Sequence, residues 1–492
     1  MNHSRRHLLF GASGLMGAAP PESEIIVGSG RLEAAAASFD ATPPLGVPAG
    51  THGDVPVVRK IEGRIEARAL ALRQGKLTVG WSNSDNAAFD KMRARLARHL
   101  GTPVERTIHS STHNHSSFHD KVLDQEDSPF AKSYFAGVDR SAQALAARFT
   151  EVRCWWGVRQ ERTVTYNRKG RRADGTTFFM REEDRVEQPP DYVGVIDDRA
   201  TVVRLDDTRG RPLALITHFT GHPVASYNLE EAVINPDYCG YALRDLTSQF
   251  GSPRPVGFFL QGCAGDISCK HMFGGDAKAR ELGGRLGVTL RAAARDAQPI
   301  SSPRLTFTHG AAQVPFAALP SLDQLRGDRE ELEAFVRRCE TGSPDTLRVL
   351  GYNFSGTMRQ NYRKRLAEPL LRWTNWAIEQ RGKGIERPRQ TLPVYVQVVT
   401  LGDVAWVLMP MELFVGIGLE IRKRSPFPCT VPVAYTNKVY PNYLGRAEDV
   451  GDREYMSAFY RYSLLPPYAK PAGDVIVDKA VELLTRSRAA LA

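Results

Sequence analysis

The sequence predicts an α/β protein of the mixed α+β kind: one large domain, with mixed sheets flanked by helices and a functional site at strand ends. Three observations predict it. Strand-like and helix-like runs alternate along most of the 492 residues, the pattern of layered α/β architectures. Several apolar runs stop abruptly on a His, Glu or Gly motif, and strand C-termini meeting at one sheet edge are where such proteins assemble their sites. Beyond residue 39 no internal repeat or low-complexity linker divides the chain, so 39–492 reads as one domain behind a 1–38 signal and linker.

Each element follows in order. Residues 1–20 set Arg5 and Arg6 before a short apolar run, which resembles a twin-arginine export signal. The run is too short to span a bilayer, so the expectation is an exported, non-transmembrane protein. Ala-rich residues up to 38 read as a linker, followed by a Pro/Gly turn cluster. Residues 65–79 read as two strands joined at Gly75. Residues 86–100 fit an amphipathic helix, with Phe89, Met92, Leu96 and Leu100 at helical spacing, and V-E-R-T-I-H then leads as a strand into H-S-S-T-H-N-H-S-S-F-H-D. Strands dominate 154–170 and 193–219, a short helix follows near 240–249, and 256–268 is a buried-type strand running into a Gly-containing loop. Helices are expected at 276–296 and across 321–382, with Pro369 as a break or kink. Residues 394–410 read as a hairpin on Gly402-Asp403, and Val475–Leu491 as an amphipathic helix.

Composition is that of an ordinary globular protein, with 42% hydrophobic and 24% charged residues. The net charge of +10, carried mostly by Arg, would favour peripheral contact with an anionic membrane surface, though a solvated basic surface with no specific partner is the favoured reading. The basic residues are spread out and match no nucleic-acid-binding motif, which argues against that partner. Six scattered cysteines form no CxxC pair, and only Cys263 and Cys269 are close.

Four of twelve histidines fall between 109 and 119: His109, His113, His115 and His119. Neutral imidazole ligates zinc and carries protons near pH 7. On an extended strand His113 and His115 would share a face, able to share a metal or to divide binding from proton transfer. A polar Ser-rich surface loop is the competing reading of the same residues. Downstream, T-G-H-P-V puts His222 at a strand end, P-M-E-L-F puts Glu412 after another, and N-Y-L-G puts Tyr443 in a loop beyond a third.

In order along the chain, D-A-T-P-P-L-G, T-H-N-H, Asn167-Arg168, G-H-P-V, G-D-I-S, P-M-E-L-F with S-P-F, and Tyr443 with Tyr455 twelve residues later resemble the motifs of the neutral ceramidase family. Each motif is weak alone; seven in the family's order are specific. The resemblance implies an amide hydrolase with one zinc ion per chain, held by His113, His222, Glu412 and Tyr443. Two imidazoles and a carboxylate leave such an ion net positive and open to water, whose pKa can fall to about 7. The resemblance further implies that His115 moves a proton to the leaving amine. Arg168 and Tyr455 would meet the developing oxyanion. Ser268 would be the active-site serine, as nucleophile or as a group that positions substrate. Singly, Glu412 reads as well as a salt-bridge residue, His222 as a buried histidine, Ser268 as a turn residue and Arg168 as a surface cation, while Asp266 reads as a loop-fixing group.

The match also departs from the family. Ser116-Ser117-Phe118-His119 replaces a Gly/Pro segment, so the pocket rim is expected to differ, and Lys270 adds a charge near its mouth. The chain ends with the helix after Val475, so the family's C-terminal immunoglobulin-like domain is expected to be missing. The implied function is amide hydrolysis in an N-acylated substrate, ceramide-like or other, with the 321–382 region as a selecting wall. Three alternatives stand beside it: another amide or ester substrate on the same fold, a (β/α)8 metal amidohydrolase, and an exported binding protein without turnover.

Overall fold

Period-two alternation divides the chain into layers. In the computed structural model, which describes residues 24–50, 56–86, 91–181, 192–437 and 442–492, Val203 and Leu205 face one way and Ala200 and Val202 the other. Likewise Val399 and Leu401 oppose Val396 and Val398. A strand with apolar residues on both faces must be covered on both, and the result is four layers: helices, sheet, sheet, helices.

The larger sheet runs, in spatial order, Val256–Gln261, Pro212–Phe219, Arg199–Asp207, Thr150–Gln160, Leu32–Asp40, Glu66–Gln74, Leu77–Ser84 and Thr107–Ser111. Its two end pairs are parallel and its interior is antiparallel. The smaller sheet orders Ile26–Val27, Leu305–Pro315, Thr391–Leu401, Val404–Leu408 and Cys429–Val433. Between them lies an apolar core in which Trp81 and Trp406 meet edge-on, ring centroids 5.9 Å apart. Burying each such side chain stabilises the sandwich by about 2–3 kcal/mol. Helices Asp237–Ser248 and Gly275–Arg295 cover one part of the large sheet, and Arg93–Leu100 and Pro129–Ala147 another. Helices Val415–Arg424 and Asp474–Ala489 cover the small sheet.

The expected mixed α/β domain is therefore present, and its layered sandwich is not a (β/α)8 barrel. Two expectations are corrected. The Ala-rich stretch before residue 39 is no linker: Leu32–Asp40 is an interior strand with Ala34 and Ala35 buried, and Ile26–Val27 edges the second sheet. Its small side chains let the helix Pro129–Ala147 pack close, where a Cβ on Gly137 would meet the Phe39 ring at 2.5 Å. The 321–382 region holds two helices, Leu322–Glu340 and Gln360–Gly382, and the second runs through Pro369 without ending. Helix Arg93–Leu100 covers the later part of its expected range, and Phe89 lies outside the described residues, as does the twin-arginine segment. Among the described residues no helix is long and apolar enough to cross a membrane, and all six cysteines are free and buried.

The two sheets meet where function is expected. The segment after Cys429–Val433 docks on both ends of the large sheet: Ala434 donates to the Gln261 carbonyl, Ser111 to that of Tyr435, and Asn437 to that of His109. Tyr435 and Asn437 adopt positive φ (55° and 56°) to make these contacts.

Candidate metal centre

His113 follows the strand Thr107–Ser111 in left-handed conformation, φ 62°, with its N–H donated to Ser111 Oγ at 3.0 Å. Strand alternation therefore does not bring His113 and His115 together, as the sequence had implied. The turn does so instead, setting their Nε2 atoms 3.2 Å apart. His222 follows Pro212–Phe219. Gln261, fully buried at the end of the adjacent strand, fastens both histidine loops by donating to the carbonyls of Thr112 (3.1 Å) and Gly221 (2.8 Å).

Glu412 and Tyr443 arrive together because their two-residue strands pair in parallel, with Glu412 opposite Tyr443. Gly265 permits this approach, since a Cβ there would meet the Glu412 carbonyl oxygen at 2.5 Å. The Glu412 Oε2 stands 3.0 Å from His222 Nε2 and 3.2 Å from His113 Nε2. Tyr443 Oη lies 3.5 Å from His222 Nε2.

Protonation decides what this cluster can hold. The His222 Nδ1 lies 2.6 Å from the Ala264 carbonyl and 3.2 Å from that of Ile267, so it carries the proton and Nε2 presents a lone pair. Burial, reinforced by Arg168, pushes the His222 pKa down to about 3. Burial opposes ionisation of Glu412, yet the His113 and His222 rings hold its carboxyl well below the usual range. A lone pair facing an ionised oxygen at 3.0 Å repels unless a cation lies between them. Donor atoms around a tetrahedral zinc stand roughly 3.3 to 3.6 Å apart for its usual bond lengths, within a few tenths of the spacing here. The residues fit a zinc ion. The ring nitrogens of His113, His115 and His222 also all lie within 4.8 Å of one another. Glu412 stands within 3.2 Å of both His113 and His222, and His115 stands 3.2 Å from His113, so all four donors converge on one place.

Arg168 sits at the turn between Thr165–Asn167 and Lys169–Arg171. Its guanidinium donates to the Gly265 carbonyl (2.8 Å), Tyr443 Oη (3.2 Å) and His222 Nε2 (3.1 Å). It is buried, not a surface cation. Asp266 fixes the loop, accepting from the N–H of Val415 at 2.7 Å and from Asn167 Nδ2 at 2.9 Å. Burial raises its carboxyl to about 6 against those bonds. The Tyr455 ring packs edge-on to Tyr443, centroids 5.8 Å apart.

Tyr455, Tyr443, Arg168 and His115 line a cavity of about 870 Å³, counted to its open mouth, whose other walls include Phe179, Leu229, Met272 and Phe273. Met358, Tyr362 and Leu366 complete it, so the later part of the 321–382 region does form a wall. Ser268 is placed differently. Its backbone bridges to His222, and its buried Oγ has no hydrogen-bond partner among the described residues, but it does not line the cavity. The 116–118 segment faces the core instead of the rim: Ser116 accepts from Ser226, and Phe118 packs on Phe130 and Tyr134. His109 lies between Ser82 and Ser84, and His119 caps a short turn.

Sequence reasoning missed Gln261 and Tyr435. The Tyr435 ring lies 4.2 Å from that of His113, and its buried hydroxyl has no hydrogen-bond partner among the described residues. Its signal was a Tyr just past a buried strand, which reads equally as core.

At the level of sequence, no protein-family model and no curated protein matches the chain. Among solved structures it is similar to the neutral ceramidase from Pseudomonas aeruginosa, with a TM-score of 0.61 at 19% identity over 93% of this chain and 75% of that one. It is equally similar to a ceramidase complexed with C2, with a TM-score of 0.61 at 18% identity over 93% and 76% of the two chains. The chain has the neutral ceramidase fold.

Proposed function

We propose that this chain is a zinc-dependent amidase that hydrolyses the amide bond of an N-acyl lipid. The observation that carries the reading is the His222 tautomer, which aims a lone pair at the ionised Glu412 oxygen beside His113. The Arg168 guanidinium meets that lone pair at 3.1 Å in this structure, and a zinc ion would take over the place beside it. His113, His222 and Glu412 would hold the zinc, with Tyr443 completing the set. Zinc so held supplies a lowered pKa for water and a Lewis acid for the amide carbonyl.

The chain's own residues do the rest. Burial, then the His113 and His222 rings, keep the His115 pKa well below its usual value, so its imidazole is neutral near pH 7. It can take a proton from the attacking water and return it to the amine nitrogen. Arg168, anchored on Gly265, brings a fixed positive charge to the cavity wall for the oxyanion. Burial raises the Tyr455 phenol, leaving it protonated as a hydrogen-bond donor. A serine nucleophile needs a base within reach. None bonds Ser268 Oγ among the described residues, and Ser268 does not line the cavity, which favours water as attacker. The apolar cavity walls take the acyl chain.

The experiment is zinc analysis of the purified protein with hydrolysis of a panel of N-acyl amides and esters, against His113→Ala. One zinc per chain and amide turnover lost in the variant are expected. A wild type that binds no zinc after supplementation would overturn the reading.

A further inference from the structure

Around the histidine cluster the backbone is held in an unusual conformation. His113, Met411, Tyr435 and Asn437 have positive φ of 62°, 94°, 55° and 56°. Bulky side chains adopt that region rarely, and residues held there gather at functional sites. Tyr435 ties these positions together. Its N–H donates to the Met411 carbonyl at 3.3 Å, directly before Glu412. Its carbonyl accepts from the Ser111 N–H at 3.2 Å, and Ser111 Oγ in turn accepts the His113 N–H at 3.0 Å. One residue thus sets the segment that carries Glu412 against the segment that carries His113.

The Tyr435 ring makes a further contact. It is fully buried, its centroid 4.2 Å from that of the His113 ring and its plane tilted 32° from it. His115 and His222 meet the same imidazole at 4.8 and 4.7 Å, with planes at 83° and 86°. Of these three rings, Tyr435 is the one that lies near parallel to His113. The second side-chain torsion of a histidine is broad and roughly two-fold, so a flat neighbour decides where its ring nitrogens point. Resting against Tyr435, His113 directs Nε2 at the Glu412 Oε2, 3.2 Å away. His222 gains its orientation otherwise, from backbone carbonyls at Nδ1. Filling space in the core asks for neither a left-handed tyrosine nor its two backbone bonds to the donor segments.

Resting on the zinc reading, we propose that Tyr435 is a positioning residue of the metal centre, its ring holding the His113 imidazole in the plane that aims Nε2 at Glu412. Preorganised donors bind an ion without first being ordered, and groups that orient a ligand histidine are worth about 10- to 100-fold in metal affinity.

The test reads metal binding, not turnover. Zinc dissociation constants are measured by chelator competition on the stripped full chain, and visible spectra are recorded with cobalt, whose d–d bands report the ligand field of the same donors. Tyr435→Phe keeps the ring, and its zinc affinity should stay within about threefold of wild type with an unchanged cobalt spectrum. Tyr435→Met and Tyr435→Leu fill the space without a flat face. Each should weaken zinc about 10- to 100-fold and shift the cobalt bands. Wild-type affinity and spectrum in both would overturn the proposal. So would an equal loss in Tyr435→Phe, which would assign the effect to the hydroxyl. If Tyr435→Met and Tyr435→Leu do not fold while Tyr435→Phe does, the ring serves the core alone and the proposal falls. A wild type that takes up neither ion overturns the zinc reading, and this inference with it.

Discussion

His222 Nε2 and Glu412 Oε2 stand 3.0 Å apart, with the opposite ring nitrogen of His222 already committed to backbone carbonyls. Neither atom has a proton to share, so the pair calls for a positive charge, which the Arg168 N–H supplies to His222 Nε2 at 3.1 Å in this structure and which a zinc ion would supply on the proposed reading. Removing either donor should abolish tight zinc binding while leaving the sheets folded. Glu412→Ala and His222→Ala are expected to purify without stoichiometric zinc. The wild type, stripped and then saturated to 100 times Kd, should gain about 2.7 kcal/mol. Elemental analysis and thermal melts check both, and a variant that keeps its zinc would remove that residue from the ligand set.

The metal-stripped protein should lose stability on acidification. The His222 pKa in the folded chain is about 3, against an ordinary value of 6.5. Between those values the unfolded chain binds a proton that the folded one refuses. The contribution is thus present above pH 6.5 and lost as the pH falls toward 3. Glu412, also depressed, adds to the loss below its ordinary 4.5. Asp266 works the other way, losing stability as the pH rises from 3.8 to about 6. Each proton imposes a slope of at most about 1.4 kcal/mol per pH unit. Urea denaturation of the stripped protein from pH 7.5 to 4.5 should show the decline, and His222→Gln should flatten it.

Behind the His222 loop, Asp197 and Arg422 form a buried two-pronged ion pair, both N–O distances 2.7 Å. Asp197→Ala leaves the guanidinium uncompensated and should cost about 3–5 kcal/mol. Pairing Asp197→Leu with Arg422→Met should recover most of that. Chemical denaturation of the three variants provides the measure. An Asp197→Ala loss below 1 kcal/mol would mean that Arg422 finds water.

Arg168→Ala should lower kcat about 10²- to 10³-fold, the usual cost of an oxyanion donor. Arg168→Lys should rescue it only in part, because the guanidinium grips the Gly265 carbonyl with both Nε and Nη2 and a single ammonium nitrogen cannot. Steady-state kinetics on any turned-over amide test this.

Ser268→Ala should keep full zinc and lower kcat without changing the stereotyped course of the reaction. Intact-protein mass spectrometry during wild-type turnover should find no acyl adduct. An adduct on Ser268 would make it the nucleophile.

What could be read from sequence was what strands impose locally. A histidine directly after T-G or S-T at the end of an apolar strand is placed by that strand, so His113 and His222 were legible, as was Glu412 after V-A-W-V-L-M-P-M. The pairing of Glu412 with Tyr443 was legible only through the resemblance, since register between two-residue strands leaves no periodicity to read. Leu32–Asp40 looked like a linker because alanine marks flexible tails and tight helix–sheet contacts alike. Tyr435 and Gln261 carry no motif. What singles them out is a ring laid along His113 and two loops fastened from one strand end, relationships that exist only in three dimensions.

The clasp formed by Ala434–Asn437 across both ends of the large sheet has a consequence for biosynthesis. A nascent chain that has emerged as far as residue 269 already carries His113, His115, His222 and Ser268 but no carboxylate donor for the ion. Glu412 and Tyr443 lie far downstream of all four, and the clasp that joins the sheets lies between them. On the zinc reading the donor set would be complete only after residue 443 has been made and both sheets have docked, so metal loading would follow sheet docking, and chains cut before residue 412 would be left with imidazoles alone.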